Sequence, residues 1–255
     1  MSRESLRESL AGNGSVHCLT LDFPTPALAE FAGAIGHRVL AVDLEHGNLT
    51  WSDLENLVRA CEVRGTKLIA KVPMDPRIVE RCLDVGVHGI HLTHVEEVHV
   101  LHEVLEFLRP GAEGSRGVNR CRANLFGHYP GGYAALALES DPVFVMVTVE
   151  SLRGVEILPE VLKHELVDAV FVGAYDLSGD LGMIGKPNDP SLIQLVDKRV
   201  IAPVLEAGKV IGLSASNVHD QRNALHRGAR FTLASQARLF SSASNEFLNE
   251  TDKVS

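Results

Sequence analysis

Eight short apolar runs, each separated from the next by an amphipathic stretch, constrain the fold of this chain more than any other feature. A run such as residues 143–149, rich in β-branched residues, is typical of a parallel strand that is buried on both faces. A glycine separates a helical stretch from the next strand four times, at Gly65, Gly86, Gly208 and Gly228, as expected for helix C-caps. Strands that alternate with helices in this way predict an α/β fold, a (β/α)8 TIM barrel.

The same patterns give the expected bounds of the elements. The predicted strands are residues 16–21, 38–44, 67–72, 89–93, 143–149, 169–173, 210–214 and 230–234. The predicted helices are residues 26–35, 52–64, 76–85, 95–108, 154–162, 190–206 and 218–227. Ser52 is predicted to start the second helix, because Glu55 stands at the capping-box position.

Length and composition suit one large domain. A chain of 255 residues with 45% apolar content is typical of a single barrel. Residues 16–240 are predicted to form that barrel, between a flexible N-terminal segment (residues 1–15) and a polar C-terminal tail (residues 241–255).

Charge and cysteine usage exclude several classes of function. The net charge is −9 and no stretch is strongly basic, so nucleic-acid binding is not expected. No run of 18 apolar residues predicts a membrane span. The four cysteines form no C-x-x-C pair and no signal peptide is evident, which favours a cytoplasmic protein.

Two of the apolar runs end in a carboxylate. Residues 144–149 lead to Glu150, and residues 169–172 lead, past Gly173, to Asp176. Acids at the carboxyl ends of adjacent barrel strands lie at the face of the barrel that carries the active site in such folds. Two carboxylates with water ligands can hold a hard divalent cation. The alternative is that Glu150 only caps a helix and Asp176 only starts a turn.

A second candidate group follows the second strand. Asp43, Glu45 and His46 are adjacent, and Gly47 favours a turn that would let them share one side of the chain. A histidine beside acids is suited to general base catalysis, because its ordinary pKa is near neutrality. The alternative is a capped strand end with a surface histidine.

Three further charged residues are candidates for substrate chemistry. Lys71, inside a strand, could form a Schiff base, stabilise an enolate as a fixed charge, or simply reach solvent. Arg116 suits carboxylate recognition or a subunit interface. Asp84 stands at a helix C-terminus, where an acid lacks support from the helix dipole.

Two long connections, residues 109–132 and 177–190, are rich in glycine and proline and are predicted to border a site. A series of histidines lies between the predicted fourth strand and the following helix, but strand and helix geometry keeps them from converging, so no zinc site is expected there. The series is His88, His91, His94, His99 and His102.

Together these segments resemble the class II, metal-dependent pyruvate aldolases of the HpcH/HpaI family, over about residues 16–240. The stretch from Asp176 to Gly182 is the most specific part of the resemblance. The motifs that carry it are Asp43-Leu44-Glu45-His46-Gly47, Leu83-Asp84-Val85-Gly86, Gly114-Ser115-Arg116-Gly117, Val149-Glu150 and Val172-Gly173-Ala174-Tyr175-Asp176-Leu177-Ser178.

The resemblance implies a TIM barrel of the phosphoenolpyruvate/pyruvate type that assembles through its final helix into a homo-oligomer, a hexamer or trimer of dimers. It implies that Glu150 and Asp176 hold Mg²⁺, Mn²⁺ or Co²⁺, to which a 2-oxo acid binds. His46 would transfer a proton, assisted by Asp84 from a neighbouring subunit. The implied substrate-binding and supporting residues are Gly173, Ala174, Tyr175, Thr148, Arg116 and Asp43.

The chain departs from the family pattern at several of these positions. The family has an arginine at the position of Lys71 in this chain and a glutamine at the position of Thr148. Its Pro at the end of the fourth strand is Thr93 here, and its Gly-Pro-Ala before the metal aspartate is Gly173-Ala174-Tyr175. Tyr175 therefore adds bulk beside the expected carboxylate pocket.

These observations lead to one expected function and two alternatives. The expectation is a metal-dependent aldolase that cleaves a 4-hydroxy-2-oxo acid to pyruvate, or a related 2-oxo acid, and an aldehyde. The first alternative is an oxaloacetate-using condensing enzyme or decarboxylase, which the changes at Lys71 and Thr148 motivate. The second is a barrel that has lost catalysis and serves binding or assembly.

Overall fold

Eight parallel strands close into a barrel, in which each strand is hydrogen-bonded to the next in sequence and the last returns to the first. The computed structural model describes residues 5–12, 14–111, 114–132 and 143–252. The predicted TIM barrel is therefore confirmed. The strands are β1 (Val16–Thr20), β2 (Val39–Asp43), β3 (Lys67–Val72), β4 (Gly89–Leu92), β5 (Phe144–Val149), β6 (Ala169–Val172), β7 (Val210–Ser214) and β8 (Phe231–Ser235).

Most helices follow a strand and pack outside the barrel, whereas the first helix precedes β1. They are α1 (Leu6–Ser9), α2 (Pro26–Ala34), α3 (Trp51–Arg64), α4 (Pro76–Val85), α5 (Val98–Glu106), α6 (Leu152–Val161), α7 (Ala174–Asp180), α8 (Pro190–Val196), α9 (Ala202–Glu206), α10 (Val218–His226) and α11 (Gln236–Asp252). A 3₁₀ segment spans Arg122–Gly127, and a π-helical turn, Asp197–Ile201, joins α8 to α9.

Two helix predictions need correction. The start predicted at Ser52 with Glu55 is wrong, because Thr50 caps α3 and forms a capping box with Asp53. The single helix predicted over residues 190–206 consists of α8, the π-helical turn and α9. The helices α1 and α7 were not predicted, because four and seven residues are too few to show an apolar period. The C-terminal α11 was not predicted either.

Glycine caps set the turns between helices and strands, as predicted. Gly65 and Gly86 end α3 and α4 in the left-handed conformation, with φ of 70° and 97°. Gly208 and Gly228 are also left-handed, with φ of 71° and 88°. Since a side chain is strained at such angles, glycine lets the chain turn sharply back into β3, β4, β7 and β8.

The core has two layers. One lies between the strands and the surrounding helices, and the other fills the inside of the barrel. Phe144 of β5 and Phe231 of β8 stack inside the barrel with ring centroids 6.0 Å apart. Because most strand positions are buried on both sides, the strand sequences are largely apolar and not strictly alternating.

The N-terminal segment covers the bottom of the barrel. Leu6 and Leu10 are buried in the inner core layer. Arg7 forms an ion pair with Asp168, with Nε to Oδ1 at 2.8 Å and Nη2 to Oδ2 at 2.9 Å. Arg230 donates to the carbonyls of Leu10 and Gly12, both at 2.6 Å. The flexibility expected for residues 1–15 stays a prediction, but this part of the segment is packed against the barrel.

The C-terminal segment continues as a helix well past the barrel. Residues 241–252 of the predicted tail lie within α11, which runs to Asp252, and residues 253–255 lie outside the described residues. Phe240 and Phe247 are 71% and 70% exposed on it. None of the helices in the described ranges has the length and apolar character needed to cross a bilayer.

We expect Arg7→Met to lower the free energy of unfolding by about 1–3 kcal/mol, because it leaves the Asp168 carboxylate without its cation. Burial raises the pKa of Asp168 even with Arg7 beside it. The measurement is urea denaturation at pH 7.5, with Arg153→Met as the control. Arg153 pairs with Glu156 on the surface, so its loss is expected to cost below about 0.5 kcal/mol. Equal effects of the two substitutions would contradict the prediction.

Candidate active site

A cavity of about 280 Å³ opens at the carboxyl ends of the strands. This is the end at which TIM barrels carry their active sites. The cavity brings together most of the predicted site residues, and His46 lies beside it, next to Glu45. The predicted residues that line it are Asp43, Lys71, Thr148, Glu150, Gly173, Ala174, Tyr175 and Asp176.

Glu150 and Asp176 extend from neighbouring strand ends. β5 and β6 are paired, with Val149 opposite Val172, so the residues that follow are neighbours. Glu150 is 8% exposed, and its Oε1 accepts a 2.6 Å hydrogen bond from the backbone N–H of His94. Burial raises the pKa of Glu150, and the charge of Asp176 raises it further, although the hydrogen bond from the N–H of His94 acts in the opposite direction. The charge of Asp176, which is itself exposed, therefore acts on a Glu150 carboxylate that is partly desolvated.

Gly173 makes room for Glu150. A Cβ at Gly173 would lie 2.5 Å from the Cβ of Glu150, 3.1 Å from its Oε2 and 3.1 Å from Cγ2 of Thr148. No side chain is accommodated at such a distance without a shift of the neighbours. Glycine at this position thus fixes where the Glu150 carboxylate enters the cavity.

A tight turn after β2 holds Asp43, Glu45 and His46 together. Asp43 Oδ1 accepts hydrogen bonds from the N–H groups of Glu45, at 2.8 Å, and His46, at 2.9 Å. A Cβ at Gly47 would lie 2.1 Å from the carbonyl oxygen of Asp43. The turn predicted from Gly47 is confirmed, and it places His46 Nε2 3.4 Å from Glu45 Oε2.

Lys71 is held between two carboxylates. Its Nζ lies 3.0 Å from Asp43 Oδ2 and 2.9 Å from Glu45 Oε2. Burial disfavours the ammonium, but the hydrogen bond that Lys71 donates to Glu45 and the charge of Asp43 outweigh it, so the pKa of Lys71 is raised. Burial likewise opposes the charged carboxylates, yet their hydrogen bonds and Lys71 lower the pKa values of Asp43 and Glu45. A lysine that stays protonated is a poor nucleophile, so this geometry favours the fixed-charge alternative over a Schiff base.

Two groups of acids in this region could in principle hold a cation. Ligand atoms of Asp43, Glu45 and His46 lie within 4.8 Å of one another, but Lys71 already offsets one of the two negative charges in that group. Among the residues that the structure describes, neither Glu150 nor Asp176 has a lysine or arginine at ion-pair distance. The uncompensated pair, Glu150 and Asp176, is therefore the one whose charge and donor set fit a divalent cation.

His91 supports Thr148 from inside the barrel. Its Nε2 shares a 2.6 Å hydrogen bond with Thr148 Oγ1, and its ring packs edge-on against Phe171, with centroids 5.3 Å apart. Burial lowers the pKa of His91 to about 3. The imidazole is consequently neutral at physiological pH and orients the hydroxyl that lines the cavity.

His94 joins the two acidic groups, a role that was not assigned from the sequence, where this residue was considered only as a zinc ligand. Its Nε2 lies 2.8 Å from Glu45 Oε1, and its Nδ1 lies 3.4 Å from Glu150 Oε1. Thr93 donates to the same Glu45 oxygen at 3.1 Å. His94 has a φ of 51°, which is unusual for a residue other than glycine and marks a constrained position. Its place directly after β4, where the strand pattern ends, was the signal that could have identified it.

Asp84 and Arg116 lie apart from this cavity. They form an ion pair of 3.0 Å, and Asp84 is near the end of α4, which leads into the start of β4. The pair is therefore at the opposite end of the barrel. Of the two long connections, residues 177–190 contribute Pro187 and Asn188 to a second cavity, whereas none of the described residues of 109–132 lines either cavity. A role for Asp84 in the site of another subunit, and for Arg116 in substrate binding or at a subunit interface, stays a prediction.

A second cavity, of about 410 Å³, adjoins the first. Tyr175, Ser216 and Arg238 line both cavities and form the wall between them. The guanidinium of Arg238 lies 5.0 Å from the centroid of the Tyr175 ring and donates to Ser216 Oγ at 3.2 Å. Arg238 was not singled out from the sequence, because it follows β8 inside an unpredicted helix.

We expect Gly173→Ala to lower the affinity for Mn²⁺ by about tenfold or more, because the new methyl group displaces the Glu150 side chain. Binding is measured by titration calorimetry or by the paramagnetic resonance of free Mn²⁺, together with thermal unfolding. Gly179→Ala is the matched control, since its Cβ would meet only Ile184 Cγ1 at 3.8 Å. Unchanged Mn²⁺ affinity in a folded Gly173→Ala protein would contradict this reading of the contact.

Comparison with known proteins agrees with the geometry. Residues 21–242 match the family model described as HpcH/HpaI aldolase/citrate lyase. A 5-keto-4-deoxy-D-glucarate aldolase of Klebsiella pneumoniae is 29% identical over 231 residues, covering 89% of each chain. A hydroxypyruvate/pyruvate aldolase of Agrobacterium fabrum is 29% identical over 84% of this chain and 80% of its own.

Solved structures agree as well. An HpcH/HpaI aldolase/citrate lyase family protein of Burkholderia cenocepacia superposes with a TM-score of 0.89 at 27% identity, covering 98% of this chain and 99% of its own. The strand ends, the cavity and the sequence similarity lead to one conclusion: the chain belongs to the HpcH/HpaI aldolase/citrate lyase family, and it is an enzyme of the class II aldolase and lyase type.

Proposed function

We propose that this enzyme reversibly cleaves a 4-hydroxy-2-oxo acid into pyruvate, or a related 2-oxo acid, and an aldehyde, with Mg²⁺, Mn²⁺ or Co²⁺ as cofactor. The observation that carries the proposal is the uncompensated pair Glu150 and Asp176, which faces the cavity lined by the fixed cation Lys71. The names of the two curated relatives, both aldolases, support the same reaction class.

Glu150 and Asp176 are the residues proposed to hold the metal. A divalent cation bound there would supply the positive charge that stabilises a developing enolate. Gly173 and the N–H of His94 contribute by fixing the position of the Glu150 carboxylate.

Lys71 is proposed to place a second positive charge against the reacting carbonyl. Because Asp43 and Glu45 hold its ammonium on two sides, little reorganisation is needed when charge develops on the substrate. The side chain offers a point charge and not the planar fork of the arginine found in the family, so its selectivity for geometry is lower.

His46 is proposed to move the proton between the substrate hydroxyl and water. It is 71% exposed and sits beside Glu45, which can stabilise the protonated imidazole. Thr148, Ala174 and Tyr175 are proposed to line the 2-oxo acid. Asp84 and Arg116, at the far end of the barrel, are proposed to act only in the cavity of a neighbouring copy.

Assembly through α11 is proposed on the basis of exposed apolar side chains. Leu239 and Phe240 on α11 are 37% and 71% exposed. Phe31 of α2 and Val218 of α10 are 60% and 68% exposed on the barrel. Apolar side chains of this size on several helices are characteristic of a subunit interface.

We expect the enzyme to exchange deuterium into the methyl group of pyruvate only with Mg²⁺ or Mn²⁺, and we expect Glu150→Gln to reduce the rate to below about 1%. Exchange is followed by NMR and needs no aldehyde. Glu156→Gln removes the same charge on the exposed side of α6 and serves as the control.

Oxaloacetate decay, run in parallel, separates the main proposal from the alternative. Full exchange in protein treated with EDTA would contradict metal dependence. Rapid loss of oxaloacetate without methyl exchange would favour the decarboxylase or condensing enzyme instead.

We expect wild-type protein to be an oligomer in light scattering and Phe240→Asp to shift it toward the monomer mass of 27.6 kDa, because a charge would be buried in the interface. Ser242→Asp is the control. It adds the same charge to α11 two residues on, which helical geometry places on nearly the opposite side. A monomeric wild-type protein would contradict assembly through this helix.

A further inference from the structure

Arg238 has an unusual position in the molecule. It lies in the first turn of α11, directly after β8, and lines both cavities. The ring of Tyr175 packs against the guanidinium, and Ser216 Oγ accepts one of its hydrogen bonds. These contacts orient the group, and they leave most of its five N–H donors for another acceptor.

The other cations around the cavities are already neutralised. Lys71 contacts Asp43 and Glu45. Arg227, in the second cavity, donates to Asp197 Oδ1 at 2.9 and 2.7 Å. Over the ranges that the structure describes, no carboxylate lies at ion-pair distance from Arg238. Its charge is thus available to a ligand.

The position of Arg238 at the start of α11 is also electrostatically unfavourable for a positive charge. Cations near a helix N-terminus oppose the helix dipole, and the first turn of α11 contains no acidic residue. Asp22 relieves the helix start, because its Oδ2 accepts hydrogen bonds from Ser235 Oγ and from the N–H of Ala237, both at 2.8 Å. Asp22 does not pair with Arg238, so helix stability does not account for an arginine here.

The location separates Arg238 from the proposed metal ligands. Glu150 and Asp176 follow β5 and β6, whereas Arg238 follows β8, and Tyr175 stands between them in the cavity wall. A 2-oxo acid bound at Glu150 and Asp176 would leave the β7 and β8 side for the second reactant.

We propose that Arg238, oriented by Tyr175 and Ser216, binds an anionic group on the aldehyde partner, a carboxylate or a phosphate, and so sets a preference for anionic over neutral aldehydes. The inference rests on the proposed aldol reaction. The guanidinium fork matches either anion in a bidentate manner. Tyr175 has a positioning role, since its ring fixes the plane of the guanidinium.

A pair of matched aldehydes tests the preference. Each protein is assayed with pyruvate and either 4-oxobutanoate or its neutral methyl ester, and the ratio of the two kcat/KM values is compared. Arg238→Gln is expected to lower the acid-to-ester ratio by about 10- to 100-fold, the effect of a lost charge-assisted hydrogen bond. Arg238→Lys is expected to retain part of the wild-type acid-to-ester ratio, because it keeps the charge. Tyr175→Phe is expected to retain most of that ratio, because it keeps the ring, and Tyr175→Leu is expected to retain less of it than Tyr175→Phe.

A second matched pair distinguishes the two anions. Glyceraldehyde 3-phosphate and glyceraldehyde are compared in the same way. The pair whose ratio falls more in Arg238→Gln identifies the anion that Arg238 prefers, and equal falls indicate a general anion site.

Arg227→Gln is the control variant, because Arg227 lines only the second cavity; its acid-to-ester ratio is expected to equal that of the wild type. An Arg238→Gln ratio equal to that of the wild type, in a protein that exchanges the pyruvate methyl, would overturn the role of Arg238 alone. A wild-type protein with neither methyl exchange nor aldol product would overturn the proposed function and this inference with it.

Discussion

Closure of a parallel barrel brings every strand's carboxyl end to one rim, and the candidate site depends on this constraint. Glu150 and Asp176 are distant in sequence terms, with α6 and β6 between them, yet β5 and β6 pair side by side. The same closure brings the turn after β2 and Lys71 of β3 to the rim. The fold therefore determines which charges meet before any detail of the side chains matters.

Within that rim, the distribution of positive charge separates two acidic groups of different character. Asp43 and Glu45 share Lys71, and their pKa values are lowered by their hydrogen bonds and its charge despite burial. Burial raises the pKa of Glu150, and the charge of Asp176 raises it further. In the first group Lys71 offsets one of the two negative charges, which suits a structural and electrostatic role. The second group has no compensating lysine or arginine among the described residues, which makes it the better binding site for a divalent cation.

The strands and most helices could be predicted, because apolar runs and glycine caps are local signals. The closeness of Glu150 to Asp176 followed from strand order alone. Contacts that depend on the exact path of a turn could not be predicted: His94 reaches Glu45 and Glu150 only because its backbone adopts a φ of 51°. Arg238 was missed because its importance comes from which neighbours it lacks, and that is visible only in three dimensions.

The ion pair between Asp84 and Arg116 lies away from the cavity of its own chain, so these two residues could reach such a cavity only in another copy. Both residues belong to motifs that the family resemblance associates with catalysis, yet they face the end of the barrel away from the cavity. A residue at the bottom of one barrel can contribute to a site only if another barrel presents its upper rim there. The exposed apolar side chains on α2, α10 and α11 provide a surface for such contact. Assembly and catalysis would then be coupled, because loss of the subunit contact would remove Asp84 from the site while leaving Glu150, Asp176 and Lys71 in place.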